Sequence, residues 1–387
     1  MSRFTPEFIA TVSDVATSLV EEIVALTSQI TEIPAPTNDE AERAAFVREL
    51  LVKEGYADVT IDELSDVVGR LPGKDGAKGP LLLAGHTDTV FPRSVPIQVE
   101  RRNGLLHAPG IGDNTVSVAT LALLKKAFDQ LGITPAVDVL VTGNVGEEGL
   151  GDLRGIRAVV DAHPELGAVI AVEGHSLGRV TNKGIGSKRL KVTVTGPGGH
   201  SWGDAGRPSA IHTLARLITK LDNIQLSSEP KVSLNVGTIE GGYSVNTIAG
   251  SATCLIDMRS GNAAALTALV EKVEAAITGA STPEVPVSFE VVGNRPAGEV
   301  ALDAPIVRLA KESLALVGLD TRVDASSTDA NIPLSRGIPA VCIGLTTGAN
   351  AHRADEFIRI EPLATGVTQL ILTTIAVTDA LADGTLA

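Results

Sequence analysis

The sequence predicts an α/β chain interrupted by an inserted α+β segment, and two patterns carry that expectation. Apolar runs of strand length at 81–84, 137–142, 168–172 and 338–343 alternate with amphipathic helical stretches and end in glycine-rich turns. Between about 190 and 292 the alternation gives way to strand, helix, two strands, helix and strand, the βαββαβ order of a ferredoxin-like unit. The expected organisation is one discontinuous domain, residues 1–185 and 297–387, built on a mixed, mainly parallel sheet and holding a second domain at 186–296. A length of 387 residues fits that division, because it exceeds what one ordinary core encloses.

Each element has a local reason. Thr5-Pro6-Glu7 supplies a cap, a first-turn proline and an early acid, and Phe8, Val12, Val15, Leu19 and Ile23 form one stripe of a helix running to about Ser28. Pro34-Ala35-Pro36-Thr37 breaks the chain, and a second amphipathic helix from Asn38 ends at Gly55. Short strands near 59–61 and 66–70 precede the apolar run Leu81-Leu82-Leu83-Ala84-Gly85. The turn-rich stretch Gly104 to Gly112 delivers Asp113-Asn114-Thr115 to the start of a helix ending near Gln130. In the insertion, strands at 190–194, 232–239, 251–258 and 285–292 alternate with helices at 209–221 and 263–277. Afterwards come a helix at 305–317, strands near 321 and 341 and a closing helix near 363–380.

Composition narrows the function classes. With 44% hydrophobic residues and only 3% aromatic ones, the core must be built from Ala, Val, Leu and Ile. A formal net charge of −14, with no basic run, argues against nucleic acid or an anionic membrane as the main partner, since nothing would neutralise phosphates. Cys254 and Cys342 stand far apart, so any metal must be held by nitrogen and oxygen. Acids at Glu7, Asp14, Glu21 and Glu22 interrupt the first apolar stretch, which is therefore not read as a signal peptide, and no apolar run reads as a membrane span. A cytoplasmic protein is the expectation.

The chemistry-bearing residues follow strand ends and glycine turns, where sites in α/β sheets sit. His86 and Asp88 lie two apart after the 81–85 run, so a strand would point both the same way. An imidazole suits a divalent ion, and a neighbouring carboxylate fixes its tautomer. Asp113 opens a helix, where capping is its ordinary role. Glu147 and Glu148 stand side by side in a glycine-rich loop, where one acid could hold a cation while the other faces its water. Glu173 and His352 complete a set of nitrogen and oxygen groups that two divalent ions could share, zinc first, with cobalt or manganese able to use the same donors. A competing motif, Gly174-His175-Ser176-Leu177-Gly178, spells a serine nucleophile elbow, but the helix that motif requires is missing from the residues that follow. His107, His163, His175 and His212 match no motif and read as structural or surface residues.

His-Thr-Asp-Thr-Val at 86–90, Gly-Ile-Gly-Asp-Asn at 110–114, Glu-Glu-Gly at 147–149, Val-Glu-Gly at 172–174, Gly-Gly-His-Ser at 198–201 and Ala-His-Arg at 351–353 resemble, in order and spacing, the M20 metallopeptidases. That family includes glutamate carboxypeptidases, succinyl-diaminopimelate desuccinylases, aminoacylases and tripeptidases, and the resemblance covers nearly the whole chain. It implies a zinc-peptidase-like catalytic domain interrupted by a ferredoxin-like lid through which the protein dimerises. It further implies that His86 and Glu173 hold one metal and Glu148 and His352 the other, with Asp113 bridging and the Asp113–Asn114 bond cis. Asp88 would orient His86, and Glu147 would be the general base toward a metal-activated water. His200 would reach into the partner's site to stabilise the oxyanion, while Arg259 and Asn246 would hold the substrate's carboxylate and carbonyl.

In the family it resembles, the position of Glu173 tends to be glutamate in carboxypeptidases and deacylases and aspartate in aminopeptidases and dipeptidases, so the resemblance implies cleavage of a peptide or N-acyl bond beside a free carboxylate, in small peptides or N-acyl amino acids. Many relatives carry a lysine two residues after the bridging aspartate, where this chain has Thr115, and that departure keeps a tripeptidase or dipeptidase type of aminopeptidase open. From other classes come a serine hydrolase using Ser176 and a catalytically silent metal-dependent binding protein. Retention of Glu147, which proton transfer needs and metal holding does not, argues against the silent reading.

Overall fold

In the computed structural model, which describes residues 4–386, the chain forms two compact units: one from the start to Gly184 together with the chain from Glu299, the other Ile185–Gly298. The first is an α/β unit on a mixed sheet. Four parallel neighbours lie at its centre, in the order Val139–Asn144, Leu81–His86, Ala168–Glu173 and Ala340–Gly344. Val67–Leu71 and Ala57–Ile61 extend one side antiparallel, and Arg179–Gly184 pairs antiparallel on the other.

The central strands are buried throughout except at Glu173, which is why they read as continuous apolar runs and not as alternating ones. Successive side chains nonetheless face opposite layers. Leu81 and Leu83 join the core beneath helices Pro6–Thr31, Val116–Leu131 and Leu363–Ala382, whereas Leu82 and Ala84 pack with Ile156, Val159 and Val160 of Arg154–Ala162. Each fully buried leucine contributes roughly 1.5–3 kcal/mol. A one-residue slip of this strand would swap the layers and carry His86 off the sheet's end.

The first helix runs to Thr31, beyond the expected Ser28, because Thr27 and Thr31 bury their hydroxyls against the carbonyls four residues earlier. The same device recurs in the last helix. Among the described residues one helix, Leu363–Ala382, is long and apolar enough to cross a membrane. Its threonines hide it from an apolar-run reading: Thr368, Thr373 and Thr374 satisfy their hydroxyls on carbonyls four residues earlier. The helix is a mostly buried core element, packed on Pro6–Thr31 and Pro305–Leu316.

The second unit is a four-stranded antiparallel sheet in the order Val232–Gly241, Ser251–Ser260, Gly186–Thr195, Val287–Arg295. Helices Ala210–Asp222 and Ala263–Thr278 cover it through Leu214, Leu217, Leu266 and Val273, packed on Leu190, Val192, Ile256 and Met258. Val232–Gly241 is an edge strand whose second half is exposed. Both cysteines are buried and free.

Candidate metal centre

The sheet of the first unit fixes two of the expected residues at once. His86 ends its strand paired in register with Asn144, and Glu173 ends its own strand opposite Gly344. Both therefore stand at carboxyl ends of parallel strands. Glu147 and Glu148 follow the neighbouring strand Val139–Asn144, and their backbone N–H groups donate to the two oxygens of Asp88, each at 3.0 Å. Thr37 Oγ1 donates to the same carboxylate at 2.7 Å.

Asp113 lies where the chain enters the helix Val116–Leu131, and its peptide bond to Asn114 is cis. Its two oxygens divide between two imidazoles: Oδ1 is 3.1 Å from His86 Nε2, and Oδ2 is 3.0 Å from His352 Nε2. His352 Nε2 is also 2.9 Å from Glu148 Oε1, and His86 Nε2 is 3.8 Å from Glu173 Oε2. The structure thus gathers His86, Asp113 and Glu173 into one group able to hold an ion, and Asp113, Glu148 and His352 into another, with Asp113 common to both. A third group, His86 with Glu147 and Glu148, overlaps them. His86 offers Nε2 outward because Nδ1 faces the Asp88 backbone carbonyl at 3.1 Å, with Asp88 Oδ1 farther away at 3.5 Å. Asp88 thus meets His86 Nδ1 through both its carbonyl and its carboxylate, and the carboxylate also gathers the Glu147–Glu148 backbone.

Protonation shows how strongly these groups are coupled. Burial disfavours a charged His86, yet hydrogen bonds to Asp113 and Asp88 and the charge of Glu173 raise it well above the ordinary histidine range. Hydrogen bonds to Asp113 and Glu148 raise His352 to about 10. Burial works against the Asp113 anion, but the two imidazoles hold it below the usual carboxylate range. Glu173 goes the other way, raised to about 8 chiefly by burial, which the charge of His86 opposes and the charges of Asp113, Asp329 and Glu148 reinforce. Imidazole nitrogens, which would give up their protons to a bound cation, and several carboxylates converging within 4.8 Å are the donor set that divalent ions take, so the residues fit a metal.

Sequence reasoning missed the groups that hold this cluster. Asn114 donates through Nδ2 to the Val172 carbonyl and accepts the Gly174 N–H on Oδ1, tying the Asp113 turn to the Glu173 strand end. Arg43, fully buried, donates to the carbonyls of Thr31, Ile33 and Thr87, the last lying between His86 and Asp88. Asn144 donates to buried Asp329. Glu356 accepts backbone N–H groups of the Asp113 turn and pairs with His175. His175, read as structural or surface, is thus part of the wall behind Asp113. The adjacency of Asn114 to Asp113, and of Glu356 to the His352 turn, was the available signal.

Ser176 has positive φ, as an elbow nucleophile would, but a strand follows it and its Oγ accepts from Arg179. No histidine is bonded to it among the described residues, which removes the geometric basis of the serine-hydrolase reading.

The other expected residues lie in the second unit. His200 pairs beside Thr247 on two short strands, and Ser201 N–H donates to the Asn246 carbonyl. His200 Nδ1 accepts N–H bonds from Trp202 and Gly203, both 3.2 Å, which places its ring proton on Nε2. Asn246 Oδ1 accepts from Ser244, so its amide Nδ2 is turned outward as a donor. Arg259 Nε donates to Asp257 at 2.7 Å, steadying a half-exposed guanidinium. The structure therefore brings His86, Asp88, Asp113, Glu147, Glu148, Glu173 and His352 together in the first unit and His200 and Asn246 together in the second.

Comparison with known proteins agrees with this chemistry. The model of Peptidase family M20/M25/M40 matches residues 82–374. A LysW-lysine/LysW-ornithine hydrolase of Pyrococcus abyssi is 31% identical over 162 residues, a match spanning 41% of this chain and 43% of that one. An acetylornithine deacetylase of Myxococcus xanthus is 25% identical over 347 residues, covering 83% of this chain and 86% of the relative. A tripeptidase structure from Staphylococcus aureus superposes with a TM-score of 0.79 at 19% identity, covering 93% of this chain and 99% of that one. Fold and site together define a metal-dependent hydrolase. The chain belongs to the M20/M25/M40 peptidase family.

Proposed function

We propose that this protein is a dinuclear zinc-dependent amidohydrolase that cleaves a peptide or N-acyl amide bond beside a free carboxylate, as a carboxypeptidase or N-acyl-amino-acid deacylase. The observation that carries the reading is the division of Asp113 between His86 and His352, one oxygen to each imidazole. A carboxylate so placed would be shared by two cations, with His86 and Glu173 completing one set of donors and Glu148 and His352 the other. Cobalt or manganese would suit the same donors. When bound, the ions polarise the scissile carbonyl and make the attacking water acidic near neutral pH.

This chain's residues supply the rest. Glu147, buried beside the ligands and fixed through its N–H to Asp88, takes the water's proton and delivers it to the leaving nitrogen, so no covalent intermediate is needed. Asp88 orients His86 and also positions the Glu147–Glu148 pair. His200, carrying its proton on Nε2, donates to the oxyanion, and Asn246 Nδ2 donates to the substrate carbonyl. Arg259 binds the substrate carboxylate with the guanidinium nitrogens that Asp257 leaves open. The second unit thus acts as a lid and dimerisation domain of ferredoxin-like type. Its exposed edge strand Val232–Gly241 supports pairing with a second copy, and His200 would then serve the partner's site. Residues 1–185 with 297–387 form the catalytic domain and 186–296 the lid, in a cytoplasmic homodimer.

The test is metal content together with hydrolysis of a panel of N-acyl amino acids, dipeptides and tripeptides, before and after chelation. About two zinc per chain with chelator-sensitive cleavage of acyl amino acids supports the reading. Cleavage confined to peptides with a free amino end assigns the aminopeptidase activity instead. Hydrolysis that survives metal removal refutes the metal mechanism.

A further inference from the structure

We propose that Glu356 is the positioning residue that sets Asp113 between the two imidazoles, an inference that rests on the metal-centre reading above. Glu356 is 0% exposed, and its carboxylate is saturated by donors. Oε2 accepts the Gly110 N–H at 2.8 Å, while Oε1 accepts the N–H groups of Gly112 and Asp113, both at 2.9 Å. His175 Nε2 faces Oε1 at 3.0 Å, as a fourth donor. The backbone closes the same junction, since Ala108 N–H donates to the Glu356 carbonyl.

These bonds fix the turn that ends in Asp113. Gly110 has φ +73°, and a Cβ on Gly112 would fall 2.4 Å from His175 Nε2 and 2.7 Å from Ile358, so the turn is moulded against the clamp. Irregular backbone buried in this way must find acceptors, and a carboxylate is the side chain with two oxygens and no competing donor. Glutamine in its place would turn an amide N–H₂ toward backbone N–H groups. His352 lies four residues before Glu356, so one turn carries both an imidazole facing Asp113 and the carboxylate holding the Asp113 backbone. Asp113 is therefore located from two sides by a segment 243 residues away in the chain. Because Asp113 belongs to both ligand groups, displacing it weakens both ions, whereas losing His352 weakens one.

The test is titration of metal-free protein with Co²⁺, followed by visible absorption and by bound equivalents from elemental analysis. Glu356→Gln is expected to weaken both binding steps, each about 10-fold or more, and to alter the cobalt spectrum. kcat should fall while KM for substrate stays near wild type. Val159→Ala, in a core helix remote from the cluster, serves as the stability control: it should lower the metal-free Tm and leave the cobalt spectrum unchanged. If Glu356→Gln does not fold, Glu356→Asp, which keeps the charge and shortens the reach, carries the same readouts. Two Co²⁺ bound by the Glu356 variant with wild-type affinity and spectrum overturn the proposal. Asp113→Asn separates the two claims: if it too binds two Co²⁺ as wild type, the metal-centre reading itself falls, and if it alone loses metal, only the clamp is wrong.

Discussion

The candidate residues of the two units are prepared in opposite ways. In the first, His86, Glu147 and Glu148 are buried and already engaged with neighbours. In the second, His200 on its short strand and Asn246 on the neighbouring turn are exposed, near Trp202 and Tyr243, each 88% exposed, and Val245, fully exposed. The contrast fits the roles proposed for each set. Groups that hold cations repel one another and must be fixed by the fold, whereas groups that meet a substrate must stay open until it arrives. Apolar side chains so exposed beside two outward-turned donors mark a surface that function covers.

The largest expected effect tests the first set. Glu147→Gln should lower kcat by roughly 10²–10⁴-fold with metal content unchanged, read from steady-state kinetics and elemental analysis of the same preparation. If metal is lost as well, Glu147 belongs among the ligands, through the overlapping group with His86 and Glu148. The second set should respond differently. His200→Ala should lower kcat by roughly 10²–10³-fold with metal content and fold intact; unaltered turnover would show that the second unit takes no part in the chemistry. Arg259→Lys should be milder and fall on binding, raising KM about 10-fold through loss of a planar fork for a carboxylate. An equal fall in kcat with constant KM would show that Arg259 acts elsewhere.

The first set was more legible in the sequence than its supports. His86, Glu147, Glu148 and Glu173 follow strand ends and glycine turns, so periodicity placed them before any contact was known. The alternation of strands and helices in the second unit was legible for the same reason. Glu356, Arg43 and Asn114 were not, because their work is done on backbone groups of segments distant in the chain, and no side-chain pattern records which carbonyl or N–H lacks a partner. Helix Leu363–Ala382 shows a related limit: threonines interrupt an apolar run on paper, yet bury without penalty once their hydroxyls bond within the helix.

The smallest effect sharpens what burial does without a compensating charge. Asp113 is held anionic by two imidazoles, whereas Asp66, also in the first unit, is raised to about 8, first by burial and then by Asp62 and Asp329, against the single relief of the Val145 N–H. Its Oδ2 has no partner among the described residues. An unfolded aspartate titrates near pH ~3.9, so between about pH 4 and 8 the folded chain keeps a proton that the unfolded chain has lost. Asp66 therefore contributes stability that is full below about pH 4 and is lost as the pH rises toward 8. Asp66→Asn keeps an oxygen for the Val145 N–H and cannot ionise. Thermal melts at pH 5 and pH 8 should show a larger fall in Tm for the wild type than for Asp66→Asn, with the difference confined to that window. Parallel falls would mean that Asp66 is ionised in the folded protein, and that burial in this unit is relieved by something other than the imidazoles that serve Asp113.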